Sequence, residues 1–377
     1  MPATAAGSPD SRRSLHGAAA KAIAAALFAA AALTAAAAES APVSKPAHAV
    51  WRGNGLSFWR DVKYGPRADY PDEGDGFRGQ VGDWRPAAGL PGRICRHCSG
   101  QTMDLYVPDT AAGKPATVVM YVHGGAWSHC FDKWAIPGAL FRAYMKRGVV
   151  LCSPNYILQI DNTMNMQPGR RDEATFGAML RDIDLAVARL KPLLSEAGVK
   201  MDRFVMAGES AGAHLALLYS YDQDNPGALS LGLRHDIKIC KAVDIVGPTD
   251  FFAMNEASGA DAASLPDSDP RQRYRVLMKR LAGLADDAPE KLSLERIAAW
   301  SPVSLVTSRS VPTSFVYGRI LPLVPTDGMI PLSQKRSLEK ALEAAGVRFE
   351  SKIVTGVHHG DVSTVASDWI ADQCISH

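Results

Sequence analysis

The sequence predicts an α/β fold in which a mostly parallel central sheet carries helices on both faces. Strand-like apolar segments alternate with amphipathic helical segments from about residue 101 to the C-terminus, and this alternation is typical of parallel sheets. Within that region, residues 203–218 have the pattern of an apolar strand, a sharp Gly-x-Ser-x-Gly turn and an apolar helix. The 377 residues are enough for one large core or two smaller domains.

Seven strands are expected, each a short run rich in Val, Ile, Phe or Tyr. They are residues 103–107, 117–122, 149–153, 204–207, 242–246, 313–317 and 349–354. Apolar spacings of three and four predict helices over 176–190 and over 338–345, the latter ending before Gly346. Residues 248–299 mix helix and loop without a clear strand, which predicts a small helical cap over the carboxyl ends of the strands.

Residues 1–38 have the pattern of a cleavable signal peptide. Basic residues at positions 12, 13 and 21 precede an Ala/Leu/Phe run over about residues 22–38 that ends in small residues. This run is short and weakly apolar for a membrane anchor. We therefore expect a periplasmic or secreted protein with no stable membrane span after cleavage. Residues 11–15 also resemble a twin-arginine export signal.

Residues 39–100 are predicted to be an N-terminal extension with a loop-rich insertion, because residues 66–100 are rich in Gly, Pro, Asp and Arg and have no apolar period. An exported chain can oxidise its six cysteines. A local disulfide between Cys95 and Cys98 is favoured over a redox pair or half a zinc site. Cys152 and Cys240, in strand-like runs, are expected to be buried thiols.

The net charge argues against nucleic-acid binding, and the motifs argue against a metal or cofactor site. The formal net charge is +2 and no basic face interleaved with aromatic residues occurs, so nucleic-acid binding is not expected. No zinc-protease motif or second Cys/His pair occurs, so neither a metal nor another cofactor is expected. The chain is 47% hydrophobic and 21% charged, as ordinary globular proteins are.

Ser210 is the candidate nucleophile. It occupies the centre of Gly208-Glu-Ser-Ala-Gly212, between the predicted strand and helix. A serine on such a turn stands clear of the sheet, and the returning helix leaves room only for small residues at 208 and 212. The hydroxyl also requires a base, an orienting acid and N–H donors for the oxyanion.

The donors are predicted in the glycine-containing loop that follows strand 117–122, together with the residue after the nucleophile. This oxyanion hole comprises Gly124, Gly125, Ala126 and Ala211. The predicted substrate pocket comprises Trp127, Tyr156 and Glu209, although either aromatic side chain could equally belong to the core.

The base is sought after the last strand, where His358 and His359 are adjacent, so at most one of them faces Ser210. Asp327, in a turn after strand 313–317, is the preferred acid, and Asp250 is the alternative. The chain order Ser, Asp, His is typical of one triad-bearing fold.

Other titratable residues are assigned structural positions. We expect His214 to pack in the core, His123 to orient its own loop and His235 to be solvated. Asp182 and Asp184 lie on the helix predicted over 176–190, and either face solvent or cap a neighbouring loop.

Together these motifs resemble the α/β-hydrolase fold, and within it the esterases and lipases with a His-Gly-Gly oxyanion loop. The similarity is greatest to the carboxylesterase, feruloyl-esterase-like and kynurenine-formamidase-like branch. It covers residues 101–377, the predicted catalytic domain, and the opening segments 62–65 and 103–108 also match. The resemblance implies that Asp327 is the acid, in a D-x-x-[VI]-P loop, and that His359 rather than His358 is the base.

Three features depart from the family pattern. Ile157 stands where the family commonly has Arg, which puts the usual tethering of that loop in question. Residues 319–326 lengthen the link between a strand and the acid, and the excursion at 66–100 has no counterpart.

The sequence and the resemblance together predict an exported serine esterase that acts on a small-molecule ester. His359 would deprotonate Ser210, Asp327 would hold the imidazole, and water would release the acyl-enzyme with the same histidine as base. The oligomeric state is not predicted. Two alternatives stay open: an arylformamidase or amide hydrolase on the same residues, and a hydrolase fold that binds without chemistry.

Overall fold

A computed structural model describes residues 51–67, 100–128, 133, 135–159, 173–257 and 270–376. The predicted signal peptide, the Cys95–Cys98 pair and residues 68–99 of the loop-rich excursion lie outside the described residues.

Nine strands of the described residues form one sheet. In chain order they are β1 (Trp51–Gly53), β2 (Leu56–Lys63), β3 (Thr102–Pro108), β4 (Pro115–Val122), β5 (Val150–Pro154), β6 (Lys200–Glu209), β7 (Lys241–Ile245), β8 (Thr313–Arg319) and β9 (Phe349–Thr355). Across the sheet the order is β1-β2-β3-β5-β4-β6-β7-β8-β9. The pairs from β5 to β9 are parallel, and the three at the N-terminal edge are antiparallel. The predicted, mostly parallel sheet is confirmed.

The described α-helices follow the strands in alternation. They are α1 (Gly138–Lys146), α2 (Phe176–Glu196), α3 (Ala211–Asp224), α4 (Phe251–Ala257), α5 (Pro270–Leu281), α6 (Glu290–Ala298), α7 (Leu332–Ala345), α8 (Val362–Val365) and α9 (Ser367–Ile375). Helices α4, α5 and α6 lie between β7 and β8 in sequence, within the segment predicted to form the cap. None of the described helices combines the length and apolar character needed to cross a bilayer.

The core lies on both faces of the sheet because successive strand residues point to opposite sides. On one face, Val119, Val205 and Val243 form a cluster with side chains of α1 and α9, including Leu140 and Ile370. The alternating residues of the same strands are also fully buried. Both faces of the central strands are therefore covered, which explains their continuous apolar runs.

All seven predicted strands occur, but the hairpin β1–β2 was missed within the predicted N-terminal extension. Its turn is Asn54-Gly55, with φ values of 49° and 76°. Asn-Gly with both residues in the left-handed region is a strong signal for a two-residue hairpin. The signal was present in the sequence and was hidden by the irregular composition of the residues that follow.

Asp182 connects helix α2 to the N-terminal edge of the sheet. Its carboxylate accepts hydrogen bonds from the Ile157 backbone N–H at 2.8 Å and from the Gln101 side chain at 2.9 Å, and it forms an ion pair with Arg67. Of the two positions predicted for Asp182, the loop cap is correct and the solvent-facing one is wrong. The loop that has Ile157 in place of the family's arginine is thus held by the Asp182 carboxylate, which in turn pairs with Arg67 from an earlier segment.

Asp184, on the same helix, also caps a loop rather than facing solvent. It accepts hydrogen bonds from the backbone N–H groups of Arg234 and His235, and from the Tyr219 hydroxyl at 2.8 Å. His235 was predicted to be solvated, and this is wrong: its ring contacts Tyr219 and its Nε2 lies 3.1 Å from the carboxylate of Asp222.

Asp182→Ala is expected to lower the free energy of unfolding by about 3 kcal/mol, because it leaves the partly buried Arg67 charge and two donors without their acceptor. Arg181→Ala is the matched control, since Arg181 is an exposed neighbour on the same helix. Urea unfolding followed by circular dichroism measures both variants. Equal midpoints for the two variants would contradict this role of Asp182.

Candidate active site

Ser210 lies at the turn between strand β6 and helix α3. Its backbone has φ 56° and ψ −122°, a conformation that is strained for a residue with a side chain. Its backbone N–H donates to Ile245 O at the end of the neighbouring strand, at 2.8 Å. This strained strand-to-helix turn is the geometry of a nucleophile elbow, in which the hydroxyl stands above the strand ends.

The two glycines that flank this turn allow helix α3 to approach the sheet. A Cβ at Gly208 would lie less than 3.0 Å from backbone atoms of Gly212. A Cβ at Gly212 would clash in the same way with the carbonyl oxygens of Val122 and His123, at the end of β4. The obstacles are backbone atoms that cannot rotate away, so the sequence requirement predicted for 208 and 212 has a direct steric cause.

The predicted acid and base are hydrogen bonded to each other. His359 Nδ1 lies 2.8 Å from Asp327 Oδ2. The other carboxylate oxygen of Asp327 accepts the backbone N–H groups of Met329 at 2.9 Å and Ile330 at 2.7 Å, and the Asp327 carbonyl accepts the His359 N–H at 3.0 Å. The buried carboxylate is thus held in place by its own turn, and it orients the imidazole.

The second ring nitrogen of His359 is buried, and the described residues give it no hydrogen-bond partner. The hydrogen bond between Ser210 and His359 that a triad uses is therefore not made in this structure. Catalytic hydrogen bonds are often long before substrate binds and tighten in the complex.

Glu209 links the elbow to the histidine segment. Its carboxylate accepts the Tyr121 hydroxyl at 2.8 Å and the Ser363 hydroxyl at 3.2 Å. Burial raises the pKa of Glu209, and the nearby His359 is among the groups that oppose this rise. Tyr121 and Ser363 belong to no recognisable motif, so the sequence alone does not predict their contacts with Glu209.

The longer link between β8 and the acid folds as a closed loop. Ile320 N donates to Thr326 O at 3.0 Å, and Thr326 forms an isolated bridge with Pro331. The additional residues therefore form a loop that leaves and returns beside the end of β8.

The predicted oxyanion loop packs directly on the elbow. A Cβ at Gly124 would lie 3.0 Å from Glu209 O and 3.3 Å from Ser210 Cβ. Ala126 has φ 50°, a left-handed conformation that an alanine adopts only under constraint. Ala211 is the first residue of α3, so its N–H has no acceptor within the helix. The backbone N–H groups of Gly124, Ala126 and Ala211 therefore lie in loops that pack together around Ser210.

A cavity of about 510 Å³ opens at Ser210. Ser210, Ala126 and Ala211 line it together with residues of the turn after Asp327 and of the helices between β7 and β8. The volume lies in the range of small-molecule sites. Trp127 also lines the cavity, as predicted, while the rest of its ring packs against Phe176.

The other two predicted pocket residues lie outside the cavity lining. Tyr156 is fully buried, its ring stacks on His123, and its hydroxyl donates to the His123 carbonyl at 2.9 Å. It therefore supports the start of the predicted oxyanion loop. The Glu209 side chain turns away toward Tyr121 and Ser363, because those hydroxyls bind its carboxylate.

The remaining candidates for acid and base have structural roles. His214 is buried with Nε2 2.9 Å from Trp300 O, and burial lowers its pKa to about 3. Burial also lowers the pKa of His123 to about 4, and its Nδ1 lies 2.8 Å from Gly124 O. Asp250 accepts the Ala253 N–H at the start of α4. His358 is exposed. The described residues contain no group of three or more His, Cys, Asp or Glu side chains placed to hold a metal.

Asp244 lies beneath the elbow, paired in register with Gly208. Its side chain is fully buried and accepts the Gly247 N–H at 2.7 Å. The Tyr317 hydroxyl lies 2.8 Å from Asp244 Oδ2 and 2.6 Å from Gly247 O, yet it has one proton for these two acceptors. A protonated Asp244 satisfies both contacts, in agreement with burial raising its pKa to about 7.

Comparisons with known proteins agree with this architecture. The BD-FAE family model matches residues 103–342. The chain is 26% identical to Esterase LipQ of Mycobacterium tuberculosis over 274 residues, which are 70% of this chain and 55% of LipQ. It is 25% identical over 263 residues to isoprenylcysteine alpha-carbonyl methylesterase ICME of Arabidopsis thaliana, covering 69% of this chain and 54% of that protein. The chain thus spans about half the length of the curated relatives it matches.

Solved structures with the same fold include a truncated carbohydrate esterase from gut microbiota, with a TM-score of 0.57 and 16% identity over 88% of this chain and 99% of that one. Esterase B from Lactobacillus rhamnosis has a TM-score of 0.55 and 16% identity over 94% of this chain and 97% of its own. The fold class predicted from the sequence is confirmed by these structures and by the observed sheet.

Stability is expected to fall as pH rises from about 4 to about 7, through Asp244. An unfolded Asp ionises near pH 3.9, whereas the folded chain holds the proton to about pH 7, so the unfolded state is favoured across this window. The contribution is about 1.4 kcal/mol per pH unit. In Asp244→Asn this contribution is absent, and its stability relative to the unmodified protein should rise with pH.

Urea unfolding at pH 5, 6, 7 and 8 measures this difference. Asp202→Asn, at an exposed position of β6, is the matched control and should run parallel to the unmodified protein at every pH. A parallel curve for Asp244→Asn would show that Asp244 is already ionised in the folded chain at pH 5.

Proposed function

The chain belongs to the BD-FAE family, and we propose from this premise that it is a serine hydrolase of carboxylic esters. Ser210 is the proposed nucleophile, His359 the base and Asp327 the orienting acid. The oxyanion donors are the backbone N–H groups of Ala211 and of the loop that contains Gly124, Gly125 and Ala126. Esterase activity in the curated relatives supports the reaction class.

One observation carries the assignment. The imidazole of His359 is fixed by Asp327 through Nδ1, while Nε2 is left buried and unpaired by the described residues. A buried polar atom without a partner is costly and needs an explanation, and a catalytic role is one such explanation. Ser210 and the turn after Asp327 line the same cavity, which supports the proposal that the hydroxyl and the His359–Asp327 pair act together.

The reaction follows the usual two halves of acyl transfer. His359 removes the Ser210 proton as the oxygen attacks the ester carbonyl, and the backbone N–H groups hold the oxyanion. The imidazolium then protonates the leaving alcohol, and the acyl-enzyme remains. Water attacks the acyl group with His359 as base, which returns the serine proton and releases the acid. Asp327 orients and stabilises the imidazolium.

Ser210→Ala and His359→Gln are each expected to lower kcat for 4-nitrophenyl butyrate by at least about 10³-fold, because both remove a member of a unit that acts together. His358→Gln is the matched control and should stay within about threefold, since this neighbouring histidine is exposed. Steady-state hydrolysis measures all three variants.

A fluorophosphonate probe with mass-spectrometric mapping provides an independent readout, with the label expected on Ser210. An unlabelled protein without hydrolysis would favour a binding module. An N-formyl aromatic amine, offered at the same concentration as the ester, tests amide hydrolysis in the same assay. A large loss in His358→Gln and none in His359→Gln would reverse the assignment of the base.

We also propose that the chain is exported to the periplasm or outside the cell. The support is the order of basic, apolar and small residues over positions 1–38. Expression of the full chain in a bacterium should yield a mature protein outside the cytoplasm that begins near residue 39. N-terminal sequencing of the fractionated protein measures this, and an uncleaved cytoplasmic chain would contradict it.

A further inference from the structure

A loop of apolar residues stands at the surface between strand β8 and Asp327. It lies within residues 319–326, the segment that is longer than in the family pattern, and positions 320–325 read Ile-Leu-Pro-Leu-Val-Pro. Leu321 is 58% exposed and Leu323 is 95% exposed, so the Leu323 side chain protrudes into solvent. Globular proteins avoid runs of exposed apolar residues unless the run has a function. We call residues 320–325 the apolar loop.

Exposed apolar surface continues from the apolar loop to the rim of the cavity at Ser210. The Ile320 side chain lies beside Gly328, where a Cβ would be 3.6 Å from Ile320 Cδ1. Gly328 and Met329 line the cavity, and Met329 is 62% exposed. Phe252 is exposed on the rim of the same cavity. The apolar loop and this rim thus supply four of the seven large apolar side chains that are exposed in the described part of the chain.

Local hydrogen bonds pair part of the backbone of the apolar loop. Ile320 N–H donates to Thr326 O and Val324 N–H donates to Leu321 O, each at 3.0 Å. The two prolines of the loop have no N–H to satisfy. Unpaired polar groups are what make the transfer of a backbone from water to an apolar phase costly. The peptide groups of this loop therefore oppose such a transfer less than those of an open chain.

Arg319 places a cation at the base of the apolar loop. Its Nη1 donates to Pro322 O and its Nε to Thr355 Oγ1, each at 2.8 Å, and both acceptors are neutral. Among the described residues no carboxylate pairs with this guanidinium, and residues 320–326 carry no charge. A cation beside an apolar protrusion matches a lipid surface, because the acyl chains take up the apolar side chains while anionic headgroups meet the cation.

We propose that the apolar loop docks this protein on an anionic lipid surface. Leu321 and Leu323 insert among the acyl chains, and Arg319 stays at the level of the headgroups. A fluid lipid phase accepts a protruding side chain without a matching concavity, whereas a protein partner would have to supply a pocket for Leu323. Docking in this way brings the exposed rim residues Phe252 and Met329 to the same surface. The inference does not depend on the proposed reaction.

Co-sedimentation of the full chain with vesicles of mixed phosphatidylglycerol and phosphatidylcholine measures the docking. The double variant Leu321→Ser, Leu323→Ser is expected to lower the partition coefficient at least about tenfold, because two leucine side chains no longer leave water. Arg319→Gln is expected to lower it about fivefold, as one basic residue near an anionic surface does. On pure phosphatidylcholine vesicles Arg319→Gln should bind as the unmodified protein does.

Ile375→Ser is the matched control. Ile375 is an exposed apolar residue at the end of helix α9, outside the apolar loop and the cavity rim, so its replacement should leave the partition coefficient unchanged. Residues 1–38 are common to all the variants, so any binding through them cancels when variants are compared. Thermal unfolding followed by circular dichroism identifies a variant that has lost its fold. The dependence on lipid composition is measured on the unmodified protein and needs no variant.

Equal partition of the unmodified protein and the folded double variant would overturn the inference. Binding that depends on the leucines but is the same with and without phosphatidylglycerol would overturn the role of Arg319. Light scattering tests the other occupant: a dimer that the double variant abolishes, with no vesicle binding through the loop, would assign this surface to a second copy of the chain. Loop-dependent docking by a protein that hydrolyses no ester would overturn the proposed function alone.

Discussion

The site depends on the contact between helix α3 and the end of strand β4, where the backbones approach too closely for any side chain. Glycine at 212 is what allows Ala211 and Ser210 to sit against the oxyanion loop. Ser210, two residues before this contact, has a positive φ of 56°. The apolar strands on either side supply the rigid base that holds this strain, because they are buried on both faces. A nucleophile on a less constrained turn would not stand at one fixed point of the sheet.

The rest of the site is assembled from segments far apart in the chain, each fixed by its own local hydrogen bonds. Two backbone N–H groups of the turn after Asp327 donate to one oxygen of its carboxylate, and the other oxygen lies against His359. Glu209 then ties the segment after His359 to the elbow through Ser363. Rigid local units joined by a few polar links give a precise geometry at low entropic cost, which preorganised catalysis requires.

The cap helices have a different relation to the fold. A smaller share of their residues is buried than in the sheet. The side chains that they present to the cavity are both apolar and basic, so this face does not continue the core. A segment inserted between two strands therefore lines part of the cavity, while the proposed chemistry belongs to the strand ends. This separation explains how one fold can support many substrates.

Much of this molecule follows from local sequence. Seven strands, the elbow and the order of Ser210, Asp327 and His359 are visible because apolar periodicity and tight turns have local causes. Ile157 shows the limit: its loop is held by Arg67 and Asp182, which are distant in sequence and belong to no motif. Tyr156 and Glu209 show it again, since either could line a pocket until the fold supplies the partners that bind their polar atoms. Turn and strand patterns are set by neighbours along the chain, whereas the direction of a polar side chain is set by whichever group the tertiary structure brings within hydrogen-bonding distance.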